Sequence, residues 1–102
     1  MYAKGQAAPQ DYAEAVRWYR QAAGQGNASA QLNLGLRYDK GQGAPQDYVA
    51  AHMWLNLAAS RASGDDQTKF ARARDLVAKK MNSQQIAEAQ RLSREWKPTS
   101  AK

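Results

Sequence analysis

The sequence contains no cysteine, so neither a disulfide framework nor a thiolate metal site can form. β-Branched apolar residues are also scarce, with one isoleucine and three valines against 21 alanines in 102 residues. Sheets are rich in β-branched side chains, whereas alanine favours helices that approach one another closely. The composition therefore predicts an all-α fold.

The chain also lacks long apolar runs. None reaches the roughly 18–20 residues that span a bilayer, and residues 1–6 lack the apolar core of a signal peptide. We therefore expect a soluble chain, and the sequence does not indicate its cellular compartment. The net charge of +6 is uneven, because residues 1–60 carry +1 and residues 61–102 carry +5.

The sequence repeats itself with a shift of 36 residues. Residues 2–12 align with residues 38–48, from one tyrosine to the next. The match continues at three further places: Ala15 and Ala51, Trp18 and Trp54, and the alanine pairs 22–23 and 58–59. Self-similarity at such a period is typical of helical-repeat arrays.

Each repeat reads as a pair of helices. Residues 28–39 carry regularly placed apolar side chains, the glycines and proline of residues 41–46 end that helix, and Asp47 caps a second helix over about 48–60. In the earlier copy, Asp11 and Glu14 have the spacing of an acidic capping box. Trp18 and Trp54 have alanines three and four residues away, which predicts that both lie in the core.

The C-terminal part predicts two more helices. In residues 65–80, Phe70, Ala73 and Leu76 take the parts of Leu32, Gly35 and Tyr38 after a two-residue insertion. A last helix begins at Asn82 or Ser83, with Gln85 in capping-box spacing, and ends before Pro98. Its apolar stripe consists of Ile86, Ala89, Leu92 and Trp96.

These motifs resemble the Sel1-like repeat, a relative of the tetratricopeptide repeat. The residues that carry the resemblance are Ala30, Leu34, Gly35, Tyr38, Gly41, Gly43, Asp47, Ala51, Trp54, Ala58 and Ala59. The resemblance implies an α/α superhelix, a solenoid of helix–turn–helix repeats, with about five helices and a C-terminal capping helix.

We expect one repeat domain over residues 1–102. Its divisions are a truncated first repeat (1–25), a complete second repeat (26–61), a degenerate third-repeat helix (62–80), a capping helix (82–97) and a flexible tail (98–102). The incomplete first repeat has two interpretations. Either the chain is a fragment of a longer array, or a second copy covers the open N-terminal repeat by self-association.

The sequence gives little indication of a catalytic site. His52 is the sole histidine, and no acid lies three or four residues from it on its helix. Gly41-x-Gly43 lacks the strand and the Gly-Lys-Ser/Thr of a phosphate loop, so these glycines belong to a turn. We predict no catalytic residues, no metal, no cofactor and no enzymatic activity. Cysteine-rich relatives of the resembled family include enzymes, but this chain has none of those cysteines.

The resemblance implies binding of a peptide or protein surface in the concave groove lined by the first helices, as an adaptor or scaffold module of a bacterial-style repeat protein. By register, the groove-facing residues are Ser29, Leu32, Asn33, Leu36 and Lys40. Burial of the two leucines against the third unit is the other interpretation.

An alternative function is electrostatic binding of nucleic acid or acidic surfaces. Its candidate basic face comprises Arg72, Lys79, Lys80, Arg91 and Arg94. The chain has no known nucleic-acid motif, and these side chains equally suit a solvated helical surface.

Overall fold

The computed structural model describes residues 11–99. That span contains five α-helices and no strand: α1 (Tyr12–Gly24), α2 (Ala28–Lys40), α3 (Tyr48–Arg61), α4 (Gly64–Ala78) and α5 (Ser83–Glu95). The all-α solenoid that the sequence predicts is confirmed. The alignment of residues 2–10 with the second repeat, and residues 100–102 of the predicted tail, fall outside the described residues.

Short polar side chains set the starts of α2 and α3. The Asn27 side chain accepts a hydrogen bond from the Ala30 N–H at 2.8 Å, and Asp47 accepts one from the Ala50 N–H at 3.0 Å. Both satisfy a backbone donor that the first helical turn leaves unpaired. α2 ends at Gly41, whose φ of +69° is a left-handed conformation that glycine adopts without steric cost.

The predicted capping box of α5 is confirmed. The Gln85 N–H donates to the Asn82 side chain at 2.8 Å, and the Asn82 N–H donates to Gln85 Oε1 at 2.9 Å. Two backbone donors are thus satisfied reciprocally.

The predicted capping box of α1 is wrong. Asp11 stands at the N-cap position, but its side chain accepts no capping hydrogen bond. Glu14 instead accepts hydrogen bonds from Arg17 at 2.8 Å and from the Trp18 indole at 3.3 Å. Its carboxylate is held by residues later in the helix, so it does not reach back to the N-cap backbone.

The helices pack in sequence, α1 on α2, α2 on α3 and α3 on α4, but α5 packs on α3 instead. Contact between α4 and α5 is marginal at most. α3 is therefore the central helix of the described chain, and its Leu55 is fully buried. The last helix turns back over the preceding repeat.

The third unit follows the predicted register only in part. Phe70 is buried, and Ala73 packs against the cluster of Ala51, Leu55 and Val77. Leu76, predicted to take the part of Tyr38, is instead 57% exposed, and its neighbour Val77 fills the core. A shift of one residue turns a helical side chain by about 100°, enough to move it from core to surface.

The segment after α5 returns to the first repeat. The Thr99 N–H donates to the Gly24 carbonyl at the end of α1, at 2.6 Å. Residue 99, which the sequence assigns to a flexible tail, is thus hydrogen-bonded to α1.

Candidate protein-binding surface

The contact between α2 and α3 determines which side of α2 remains free. A Cβ added at Gly35 would lie 2.8 Å from Leu55 Cγ and 3.1 Å from the Ala51 carbonyl oxygen. The two helices are therefore too close for any larger side chain at this point. The residues that the sequence predicts as the groove lie beside this contact, and two of them, Leu32 and Leu36, also pack against the α3 cluster.

We call Ser29, Leu32, Asn33, Leu36 and Lys40 the α2 strip, since their spacing of three and four residues places them along one side of the helix. Ser29 and Lys40 are exposed and Asn33 is half-buried. The Asn33 amide donates to the Ser29 carbonyl at 2.9 Å, within α2 itself. Among residues 11–99, no other helix forms a hydrogen bond with these polar side chains.

Leu32 and Leu36 belong both to the core and to the surface. Both are half-buried and pack against the cluster of Ala51, Leu55 and Val77, and Leu32 also packs near Phe70. The structure thus places them against α3 and α4, as the other interpretation of the sequence has it. Part of each leucine side chain is still accessible, so the strip has an apolar edge beside polar groups.

Trp54 joins three helices. It packs against the cluster of Val16, Ala23, Ala30 and Leu34, which α1 and α2 supply. On another side it meets the Trp96 ring edge-to-face, with centroids 6.1 Å apart. Trp54 is half-buried and packs against the core, so the prediction that it lies in the core is confirmed in part.

For Trp18 the same prediction is wrong. This side chain is 64% exposed on α1, with Arg17, Arg20 and Gln21 around it. In the described part of the chain no helix stands against Trp18 as α1 stands against Trp54. Within residues 11–99, its indole N–H bonds only to Glu14, one turn earlier on the same helix.

The predicted basic residues are divided between two helices. Arg72, Lys79 and Lys80 lie on α4 or directly after it, whereas Arg91 and Arg94 lie on α5, which does not pack on α4.

Two of these five cations are bound to acids. Lys80 donates to Asp39 at 2.9 Å, and this hydrogen bond raises the pKa of Lys80. Arg91 pairs with Glu88 and Glu95, chiefly by hydrogen bonding to Glu88, which raises the pKa of Arg91 further. These pairings reduce the charge that α4 and α5 present together.

His52 is buried in α3, only 4% exposed, and its Nδ1 has no hydrogen-bond partner in the described structure. Burial lowers the pKa of His52 and the nearby Arg74 lowers it further, while Asp75 opposes them. Among residues 11–99, no three His, Cys, Asp or Glu side chains cluster as a metal site would require. Within the same span, no helix is long and apolar enough to cross a membrane.

The sequence did not predict a groove between α3 and α4. Its residues come from two helices, and no motif indicates how these helices pack. We call it the α3–α4 groove, a cavity of about 530 Å³ open to solvent. Its lining consists of Asn56, Ala59, Ser60, Gln67, Thr68, Ala71, Arg72, Arg74 and Asp75. The polar residues of α4 at 67, 68, 72 and 75 are the signal that marks it.

The described helices form pairs, and α3 is shared between neighbouring units. Together with the partly accessible side of α2, this arrangement defines a helical-repeat protein of the solenoid class. The Sel1 repeat matches residues 1–27 and 28–63, and the chain belongs to the Sel1 repeat family. Repeats of this family generally mediate protein–protein interactions, and the repeat itself is a non-catalytic scaffold. Comparisons with curated proteins and with solved structures give no significant match.

Proposed function

We propose that the chain is a protein-binding adaptor or scaffold module that holds a peptide or protein surface along the α2 strip and has no enzymatic activity of its own. The observation that carries this proposal is the combination of partly accessible leucines and accessible polar side chains on one side of α2. Apolar anchors rimmed by polar groups are the usual composition of a recognition surface.

The strip suits an extended segment better than a small molecule. Leu32 and Leu36 lie one helical turn apart, and Ser29, Asn33 and Lys40 extend the surface along α2, whose 13 residues span about 20 Å. The α2 strip is a side of a helix and not an enclosed cavity, which small ligands require. A short strip supports weak affinity unless several repeats act together.

Peptide display against the chain tests the proposal. Selected peptides are expected to bind the Asn33→Arg variant at least about tenfold more weakly, because a bulky cation then lies beside the two leucines. The matched control is Gln90→Arg, which adds the same side chain at an exposed position of α5. Equal binding to Asn33→Arg and to the control contradicts the proposal.

A further inference from the structure

The chain contains an internal example of how one of its repeats receives the next. Trp54 of α3 packs on the cluster that α1 and α2 form, which includes Ala23. On α1, Ala23 belongs to this cluster, and Arg20 lies against the following unit by donating to the Tyr38 hydroxyl at 2.8 Å. This arrangement is a tryptophan seated on the preceding pair of helices.

The same arrangement recurs 36 residues later, but without its tryptophan. In the repeat register, Arg20, Ala23 and Gly24 correspond to Asn56, Ala59 and Ser60. Those three α3 residues line the α3–α4 groove, and α4 supplies the other wall. Because Ala59 is the counterpart of Ala23, which Trp54 packs on, the α3–α4 groove corresponds in part to the surface under Trp54.

α5 does not fill this groove. It reaches α3 from a different side, where Trp96 packs on Trp54 and the Arg61 guanidinium lies 5.5 Å from the Trp96 ring centre. Within the described residues, the groove is left without the outer helix that the repeat pattern would place there.

At the other end of the described solenoid, Trp18 lacks a surface of the kind that Trp54 packs on. It occupies the same repeat position as Trp54 but is 64% exposed. We propose that Trp18 of one copy of this chain docks into the α3–α4 groove of a second copy, so that the chains associate head to tail. The partner is a second copy because the chain itself supplies both halves of a contact that it already makes internally.

The groove suits a partner of mixed polarity. Ala59 and Ala71 provide apolar surface, whereas Arg72 and the Arg74–Asp75 ion pair supply both signs of charge. Trp18 has charged companions of both signs, Glu14 and Arg17, on its own helix. Opposite charges can thus face each other around a small apolar contact, which makes the association specific but weak.

Such a contact joins two different surfaces, so each docked copy still presents a free Trp18 or a free groove. Heterologous contacts of this kind extend into rings or open arrays. The inference is independent of the proposed function, since the α2 strip takes no part in it.

Sedimentation velocity of the full chain, up to about 1 mM, tests the proposal. The wild type is expected to associate with rising concentration beyond a dimer. Trp18→Ala removes the docking side chain, and Thr68→Arg fills the groove; each is expected to weaken association by about tenfold or more. Gln84→Arg, on exposed α5, adds the same side chain as Thr68→Arg and is expected to associate as the wild type does.

Mixing the two defective variants gives the most specific readout. Thr68→Arg keeps its tryptophan and Trp18→Ala keeps its groove, so the mixture is expected to form heterodimers that grow no further. Arg72→Glu alters the same groove and replaces Thr68→Arg if circular dichroism finds that variant unfolded.

Three results would overturn the proposal: a wild type that stays monomeric throughout, a Thr68→Arg variant that associates like the wild type, or a mixture without heterodimers. The second result is what symmetric pairing of two Trp18 faces would give.

Discussion

At the scale of single residues, Trp18 and Trp54 show that the same position of a repeat can have two environments. Trp54 packs on helices α1 and α2 and on Trp96, while Trp18 is 64% exposed. The side chain and its register are the same in both repeats. What differs is the presence of a neighbouring helix pair among the described residues.

The pair provides its own matched control. We expect Trp54→Ala to lower the free energy of unfolding by about 3 kcal/mol, because it removes a large side chain shared by three helices. Trp18→Ala is expected to change it by less than about 0.5 kcal/mol in dilute, monomeric protein. Urea unfolding at low protein concentration measures both, and similar losses for the two variants would contradict this account.

The sequence predicted the register of the two tryptophans correctly and the burial of Trp18 wrongly. Flanking alanines three and four residues away indicate a helix face made for close packing, but they do not indicate which helix packs there. Burial is a property of the assembled units, so a pattern within one repeat cannot determine it.

His52 predicts how stability responds to pH. Its pKa is lowered in the folded protein, mainly by burial, so the unfolded chain binds a proton more readily. Above the unfolded pKa of about 6.5 both states are neutral and full stability is present; it is lost as the pH falls below that value. We expect the free energy of unfolding to drop between about pH 7.5 and 5.5, above the range in which most carboxylates titrate.

The His52→Gln variant is the control, because His52 is the only histidine in the chain. Its unfolding free energy is expected to stay flat over the same pH interval. A wild type that is equally flat would mean that the buried imidazole does not titrate differently in the two states.

At the scale of helices, the N-caps of α1 and α3 form a second natural pair. Asp47→Ala is expected to cost about 1 kcal/mol of unfolding free energy, since the Asp47 carboxylate accepts the Ala50 N–H. Asp11→Ala is expected to cost only a few tenths, because Asp11 makes no capping bond and contributes only through the helix dipole. Thermal unfolding of the two variants compares them, and a larger loss at Asp11 would run against the structure.

The sequence predicted α5 as an amphipathic helix with a capping box, and both features are present. It did not predict that α5 packs on α3 and that Thr99 hydrogen-bonds to Gly24. An apolar stripe reveals that one side of a helix is buried, but the stripe carries no information about its partner. The same reason explains why the α3–α4 groove was missed.

At the scale of the whole molecule, the net charge of +6 favours binding of polyanions in general but gives no selectivity among them. The five residues of the predicted basic face lie around two helices that do not pack together, and Lys80 and Arg91 are paired with acids. We therefore expect no measurable binding of generic duplex DNA at physiological salt and at most weak binding at low salt. A fluorescence anisotropy titration from about 20 to 200 mM salt checks this.

Steeply salt-dependent DNA binding with submicromolar affinity at low salt would favour the electrostatic alternative. In that case Arg72→Gln and Arg94→Gln would reduce the salt slope, since neither cation has an acidic partner in the described structure. Arg17→Gln, on α1, is the matched control outside the basic face.

The α2 strip was predictable as a set of positions, because repeat register alone brings its five residues to one side of α2. How far Leu32 and Leu36 are buried was not, since this depends on how closely α4 packs against α3. The structure leaves them half-buried, so they contribute to the core and keep an accessible edge.

The most direct test of the protein-binding account is an NMR titration of the isotope-labelled chain with a display-selected peptide. The account predicts that backbone amide shifts concentrate along α2, at Ser29, Asn33, Leu36 and Lys40, with little change in α5. Shifts concentrated at Arg91 and Arg94, or a peptide that perturbs no α2 amide, would contradict it.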